Sequence, residues 1–257
     1  SVVPDLKPLR EKIRAKKSAL DELEPVRTPI MQELPEGKRR VTRVFQRGNW
    51  LTKGDTVKPE VPNSLNAMPE GVPSNRLGLA RWLVSPENPL TARVTVNRFW
   101  AEIFGKGIVK TLSDFGTQGA DPTHPALLDW MAVQFMSDYG WSVKRMLKAL
   151  VMSATYQQSS HYREDLDDVD PNNELWARGP RFRLSAEQVR DQALAVAGLL
   201  SDKMFGPSVM PPQPDGIWNN PYSGKEWTTS EGEDRYRRGV YTYWKRTSPH
   251  PGMSAFD

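Results

Sequence analysis

Val143, Met146, Leu147, Leu150, Val151 and Ala154 stand at i, i+3, i+4, i+7, i+8 and i+11. That spacing lines one side of a 3.6-residue helix and is incompatible with the two-residue repeat of a strand. Ser142 in front supplies an N-cap oxygen for the first free amides, so a helix is predicted to start there. The same grammar brackets it on the N-terminal side. Pro125 opens a helix carrying Leu128, Met131 and Phe135 that Gly140 ends, with His124 before it as a capping or packing residue. Asn88 caps a helix with Pro89 at its first position, a core stripe of Ala92, Val96, Phe99, Trp100 and Ile103, and an exit at Gly105. A short helix with Leu77, Ala80, Leu83 and Val84 comes before Pro86, and Ser185 with Gln188 makes a capping box for a helix to Leu200. Short connections between such helices require them to pack on one another.

The remaining chain is less periodic. Residues 6 to 24 read as an amphipathic helix with Leu6, Leu9, Ile13, Leu20 and Leu23 on one side, ending at Pro25. Thr28 to Leu34 and Arg39 to Phe45 read as short β stretches, followed by a turn-rich, proline-rich segment to Pro73. Residues 206 to 234 are rich in Pro, Gly and Trp, and Val240 to Trp244 alternates as a strand would. The expected class is mainly α, a multi-helical domain with a small β element, with α+β as the neighbouring class. The expected division is 1–70, a linking helix with a β/turn segment, and 71–257, a helical domain incomplete at its C-terminal end.

A chain of 257 residues can bury a real core without staples. With 0 cysteines it has no disulfide, thiolate metal site, cysteine nucleophile or covalent haem attachment, and no cofactor is expected in the chain itself. No apolar run approaches the roughly 18 residues of a membrane helix, and membrane insertion is not expected. The net charge of +4 is spread among interspersed acids and bases, which argues against nucleic acid as a partner. The chain starts at Ser1 and stops just after the turn-like Ser248–Gly252, the pattern expected of a piece of a longer polypeptide.

Two polar groups offer chemistry. On the helix after Ser185, Glu187, Arg190 and Asp191 lie on adjacent turns of one face, with Arg183 just before it. Two neighbouring carboxylates repel and split their pKa values for acid and base work, or else join the flanking arginines in a structural ion-pair network. On the helix after Asn88, Arg93 and Asn97 share a face with Arg98 beside it and Asp114 downstream; these could clamp an anion through guanidinium forks, or tie loop carbonyls together. Glu187, Asp191 and Asp114 are the candidate catalytic carboxylates. Arg93, Asn97, Arg98, Arg183 and Arg190 are candidate binding residues.

A third group is aromatic: Trp218, Tyr222, Trp227, Tyr236, Tyr241, Tyr243 and Trp244, interleaved with Arg235, Arg237, Arg238, Lys245 and Arg246. Flat rings beside donors, Trp227 and Trp244 above all, can hold sugar rings, or the segment can simply pack over the helices. Asp114-Phe115-Gly116 spells a kinase magnesium motif without the other kinase elements, and the stretch Asp165–Glu174 lacks the glycine and glutamate of a calcium loop, so it reads as a solvated loop. His124, His161 and His250 have no metal-ligand spacing, and no metal site is expected.

Several motifs occur in order: Arg47-Gly48-Asn49 with Gly54-Asp55 and Pro62, the run Asn75–Leu83, Val96–Trp100 with Phe104, Gly105 and Gly107, Asp114–Gly116, His124-Pro125, Leu128–Trp130, Ser153–Tyr156, Arg181–Leu184 and Glu187 through Asp191. This series resembles the planctomycete domain of unknown function 1553. The resemblance implies a domain near the C-terminal end of a large exported protein, periplasmic or extracellular, behind a cytochrome c domain, and that upstream domain would carry any haem. The partners it implies are the other domains of the same polypeptide. It brings no catalytic residues with it. Two functions stay open, a scaffold or interaction domain and a polysaccharide-acting hydrolase or glycan-binding module.

Overall fold

The computed structural model describes residues 6–23, 28–218 and 226–256. The chain divides into two compact units, Ser1–Glu60 and Val61–Asp257. Among the described residues there are seven α-helices and one two-stranded sheet, which makes the protein mainly α with a small β element.

The first unit carries helix α1 (Lys7–Asp21) and a hairpin of β1 (Thr42–Phe45) and β2 (Lys53–Val57). Lys, Ala, Leu and Arg favour the helix, and Pro8 sits in its first turn where no amide is lost. None of its residues is buried; Leu9 and Ile13 are about half exposed. The helix stops short of Glu24 and Pro25, which lie outside the described residues. The strands pair antiparallel, Thr42 against Val57 and Arg43 against Thr56, with an irregularity before Phe45 meets Lys53. Between them Arg47 and Gly48 take positive φ of 50° and 75°. β2 falls in the segment read as turn, because Gly54 and Asp55 carry no strand propensity and only pairing with β1 makes it one. Thr28 to Leu34, read as a β stretch, has no regular structure and stays exposed.

The second unit is built around α3. Helix α2 (Arg76–Leu83) is capped by Asn75, whose Oδ1 accepts from the amides of Leu77 and Gly78 at 3.0 and 3.1 Å. Helix α3 (Thr91–Phe104) is entered through Asn88, whose Oδ1 accepts from the amides of Leu90 and Thr91 at 3.0 Å each. The helix proper therefore starts two residues after Pro89. It ends at Gly105 with φ 78°, a left-handed turn that a side chain would strain. Helix α4 (Pro125–Met136) and α5 (Val143–Val151) pack on α3, the latter capped by Ser142 Oγ on the Arg145 amide.

The core is formed by these three helices together with three residues from the loops between and beyond them. α3 gives Ala92, Val96, Trp100 and Phe104, α4 gives Leu128, Met131 and Phe135, α5 gives Met146 and Leu150, and the loops give Ile108, Val109 and Trp176. Trp100 stacks on Phe104 at 4.2 Å between centroids, and Trp176 meets both edge-on at 5.3 and 5.5 Å. Burying each such ring contributes about 3 kcal/mol. On α5 only Met146 and Leu150 are buried; Val143 and Val151 are exposed, and Ala154 lies beyond the helix end.

Helix α6 (Ala186–Val196) has the full capping box, Ser185 Oγ accepting from the Gln188 amide and Gln188 Oε1 from the Ser185 amide. It stops four residues before Leu200, with Gly198 at φ 68°. It packs against α7 (Pro251–Ala255) and the 3-10 turn Gly239–Tyr241. Val240 to Trp244 is that turn followed by one parallel bridge, Thr242 to Val209, and not a strand. The partner segment carries Pro207, Pro211, Pro212 and Pro214, which have no amide to extend a ladder. Among the described residues no helix is long and apolar enough to cross a membrane.

Candidate functional site

Arg93 and Asn97 do share one side of α3, and both side chains are engaged by the protein itself. Arg93 donates from Nε to Asp129 Oδ1 on α4 at 2.6 Å and from Nη1 to the Pro89 carbonyl at 2.6 Å. Asn97 is fully buried; its Nδ2 donates to the Val109 carbonyl and its Oδ1 accepts from the Val109 amide, both at 2.9 Å. That pair of bonds pins the returning loop to the middle of α3. Arg98 is exposed. Asp114 accepts from the Gly116 amide at 2.8 Å and so folds its own turn.

On α6 the polar side chains reach toward the chain around Gly239. Asp191 Oδ1 accepts from the Gly239 amide at 2.6 Å, and Arg190 donates to the Arg235 carbonyl at 2.8 Å. Burial lowers the Arg190 guanidinium below its ordinary pKa, opposed by the charge of Asp191. Glu187 lies against Gly239, where a Cβ would come within 2.7 Å of Glu187 Cα. Arg183 is exposed and lines a separate cavity of about 400 Å³ with Glu102, Ser185 and Gln188. The α3 and α6 groups are not brought to one point; α6 serves the 239 turn while Arg93 and Asn97 serve α4 and Val109.

The late aromatics form a cluster of their own. Trp218 is buried, edge-on to Trp227 at 5.1 Å and to Tyr243 at 5.8 Å. Its Nε1 donates to the Ser248 carbonyl, and that of Trp227 to Pro211. Trp218 and Trp227 line a polar cleft of about 290 Å³ with Asp215 and Glu226. Trp244 is exposed, and Tyr222 lies outside the described residues. Among the basic residues here, Arg237 is buried with its guanidinium 3.8 Å from the Tyr241 ring centroid and donating to the Pro207 and Phe205 carbonyls. Among the described residues no group of three or more histidine, aspartate or glutamate side chains gathers that could hold a metal.

A further cavity, of about 320 Å³, is lined in part by motif residues, Phe104, Gly105, Arg181 and Phe182, none of which was a candidate site residue from the sequence. It lies between the end of α3 and the loops 160–162 and 171–182, and is lined by Lys106, Arg178 and Arg181 together with Phe104, Tyr162, Trp176 and Phe182. Its floor is a firmly built loop. Asp170, buried rather than solvated as its acidic neighbours are, accepts from the amides of Glu174 and Leu175 at 2.6 and 2.8 Å. Asn173 exchanges two bonds with the backbone of Arg178, at 2.8 and 3.2 Å. Asn173 and Trp176 take positive φ of 52° and 57°, each costing about 1–3 kcal/mol that the surrounding bonds must hold.

Residues 75–257 match the model of a family described as PSD1, protein of unknown function (DUF1553). The chain belongs to the DUF1553 family. No curated protein and no solved structure matches it. Within the DUF1553 domain the ordered motifs take distinct physical parts. Val96–Trp100 supplies two core side chains and the Asn97 bonds. Arg181–Leu184 forms a wall, with Arg181 in the 320 Å³ cavity, Arg183 and Leu184 in the 400 Å³ one, and Phe182 between the two, touching Gly105.

Proposed function

We propose that this DUF1553 domain is a scaffold and interaction module of an exported multidomain protein, periplasmic or extracellular, whose cytochrome c domain lies upstream and carries any haem. The export and cytochrome linkage rest on the family resemblance that the ordered motifs carry. The scaffold assignment is carried by one observation: Asp191, the best-placed candidate carboxylate, has its Oδ1 occupied by the Gly239 amide at 2.6 Å. A carboxylate oxygen in that position is spent on holding a turn, which supports a structural role for Asp191. Asp114 is likewise committed to the Gly116 amide. Nucleic acid has no part in this reading, since Arg237 is buried under Tyr241 and Lys245 Nζ sits 4.4 Å from the Trp218 ring centroid.

The test is reducing-end release from neutral and acidic polysaccharides by the purified chain, beside Glu187→Gln and Asp191→Asn. No release is expected, with Asp191→Asn lowering thermal stability alone. Release by the unaltered protein that disappears in Glu187→Gln, with the fold retained, would replace the scaffold by a hydrolase. A glycan-binding role without turnover is the second reading, favoured by Trp218 and Trp227 facing one polar cleft.

A further inference from the structure

We propose that the cavity between the end of α3 and the 171–182 loop is a binding site for an acidic sugar residue, one bearing a carboxylate or a sulfate. This deepens the glycan-binding reading and moves it away from the late tryptophans.

Charge is the first argument. Lys106, Arg178 and Arg181 line the cavity, and no Asp or Glu is among its lining residues. Lys106 is partly buried and donates one proton to the Asn172 carbonyl, which fixes its ammonium at the rim with donors to spare. Arg178 donates from Nη2 to the Pro171 carbonyl at 2.9 Å, while its buried Nη1 has no acceptor in the protein. Held in that way, Arg178 adds a fixed positive charge to the cavity wall, which favours an oxyanion inside it. Arg181 is exposed at the mouth.

Shape and rigidity are the second. The cavity of about 320 Å³ is at the small end of ligand pockets, the scale of one or two sugar rings. Tyr162 and Phe182 present exposed rings on its walls, surfaces on which the C–H face of a sugar packs. Asp170 holds the amides of Glu174 and Leu175, Asn173 holds the backbone of Arg178, and the Arg178 guanidinium is tied to the Pro171 carbonyl, so little ordering is left for binding to supply. Loop strain at Asn173 and Trp176 fits a segment shaped for such a purpose. No strand borders the cavity among the described residues, so an acidic peptide has no sheet edge to join.

Calorimetric titration of the chain with oligogalacturonate, a sulfated galactan oligosaccharide, a neutral galactan oligosaccharide, inorganic sulfate and polyglutamate tests this. One of the two acidic saccharides is expected to bind with salt-sensitive affinity, and which one does so identifies the anionic group. Arg181→Gln and Lys106→Gln are each expected to weaken it about tenfold or more, the loss of one charge-assisted contact. Neither side chain is buried, so both variants should fold, as circular dichroism would verify; Lys148→Gln, an exposed charge on α5, should leave this affinity unchanged. The proposal is overturned if neither acidic saccharide binds, if the neutral one, sulfate alone or polyglutamate binds as tightly, or if both charge variants keep full affinity. Binding abolished by Trp227→Ala and untouched by Arg181→Gln would place the glycan in the tryptophan cleft, leaving the glycan-binding reading intact and this one refuted.

Discussion

Two helices of this protein carry similar apolar stripes with opposite outcomes. α1 presents Leu9, Ile13 and Leu20 at helical spacing and buries none of them, while α3 presents Ala92, Val96 and Trp100 and buries all three. Periodicity states what a helix is able to bury; only a facing element decides whether it does. α3 has α4 and α5 against it, and an asparagine in its middle that binds the chain returning at Val109. In α1 the helix rests on local propensity, which for 15 residues in water is marginal.

The largest expected effect comes from that contrast. Trp100→Ala removes a ring that stacks on Phe104 and meets Trp176, and should lower the unfolding free energy of the second unit by about 4 kcal/mol in urea titration. A loss below about 1 kcal/mol would break the comparison at once, since surface sites lose that little. Asn97→Ala comes next, with about 3 kcal/mol expected because the buried amide and carbonyl of Val109 both lose their partner. If Asn97→Ala instead left stability intact and altered ligand affinity, Asn97 would be a recognition residue after all. Smallest is Ile13→Ala on α1, expected within about 0.5 kcal/mol by the same measurement. A larger loss would mean that the stripe of α1 is covered in solution.

What could be read in the sequence was mostly what is decided within a few residues. The caps at Ser142 and at Ser185 with Gln188, and the stop at Gly105, depend on one side chain and its nearest amides or on one φ angle, and each stands where the pattern put it. Features decided by a distant partner were lost. Lys53–Val57 becomes a strand through Thr42–Phe45, and Val240–Trp244 fails to become one because the Val209 segment is interrupted by prolines. Among site residues, spacing placed Arg93 and Asn97 on a common face and was silent on Asp129 and Val109, which occupy them. The basic cavity joins Lys106 to a loop more than 60 residues on. Its one local signal was the Asp170 and Asn173 pair, whose short side chains are suited to hold a loop backbone.

Gly105 ends α3 with a left-handed turn, and the same missing side chain leaves room for the Phe182 ring, whose Cδ1 would lie 2.8 Å from any Cβ there. One position thus governs two unrelated properties, the direction in which the chain leaves the central helix and the partition between two chambers. A side chain at 105 would at once strain that turn and collide with the ring, so at this position the exit of the central helix and the wall shared by the two cavities cannot be changed separately.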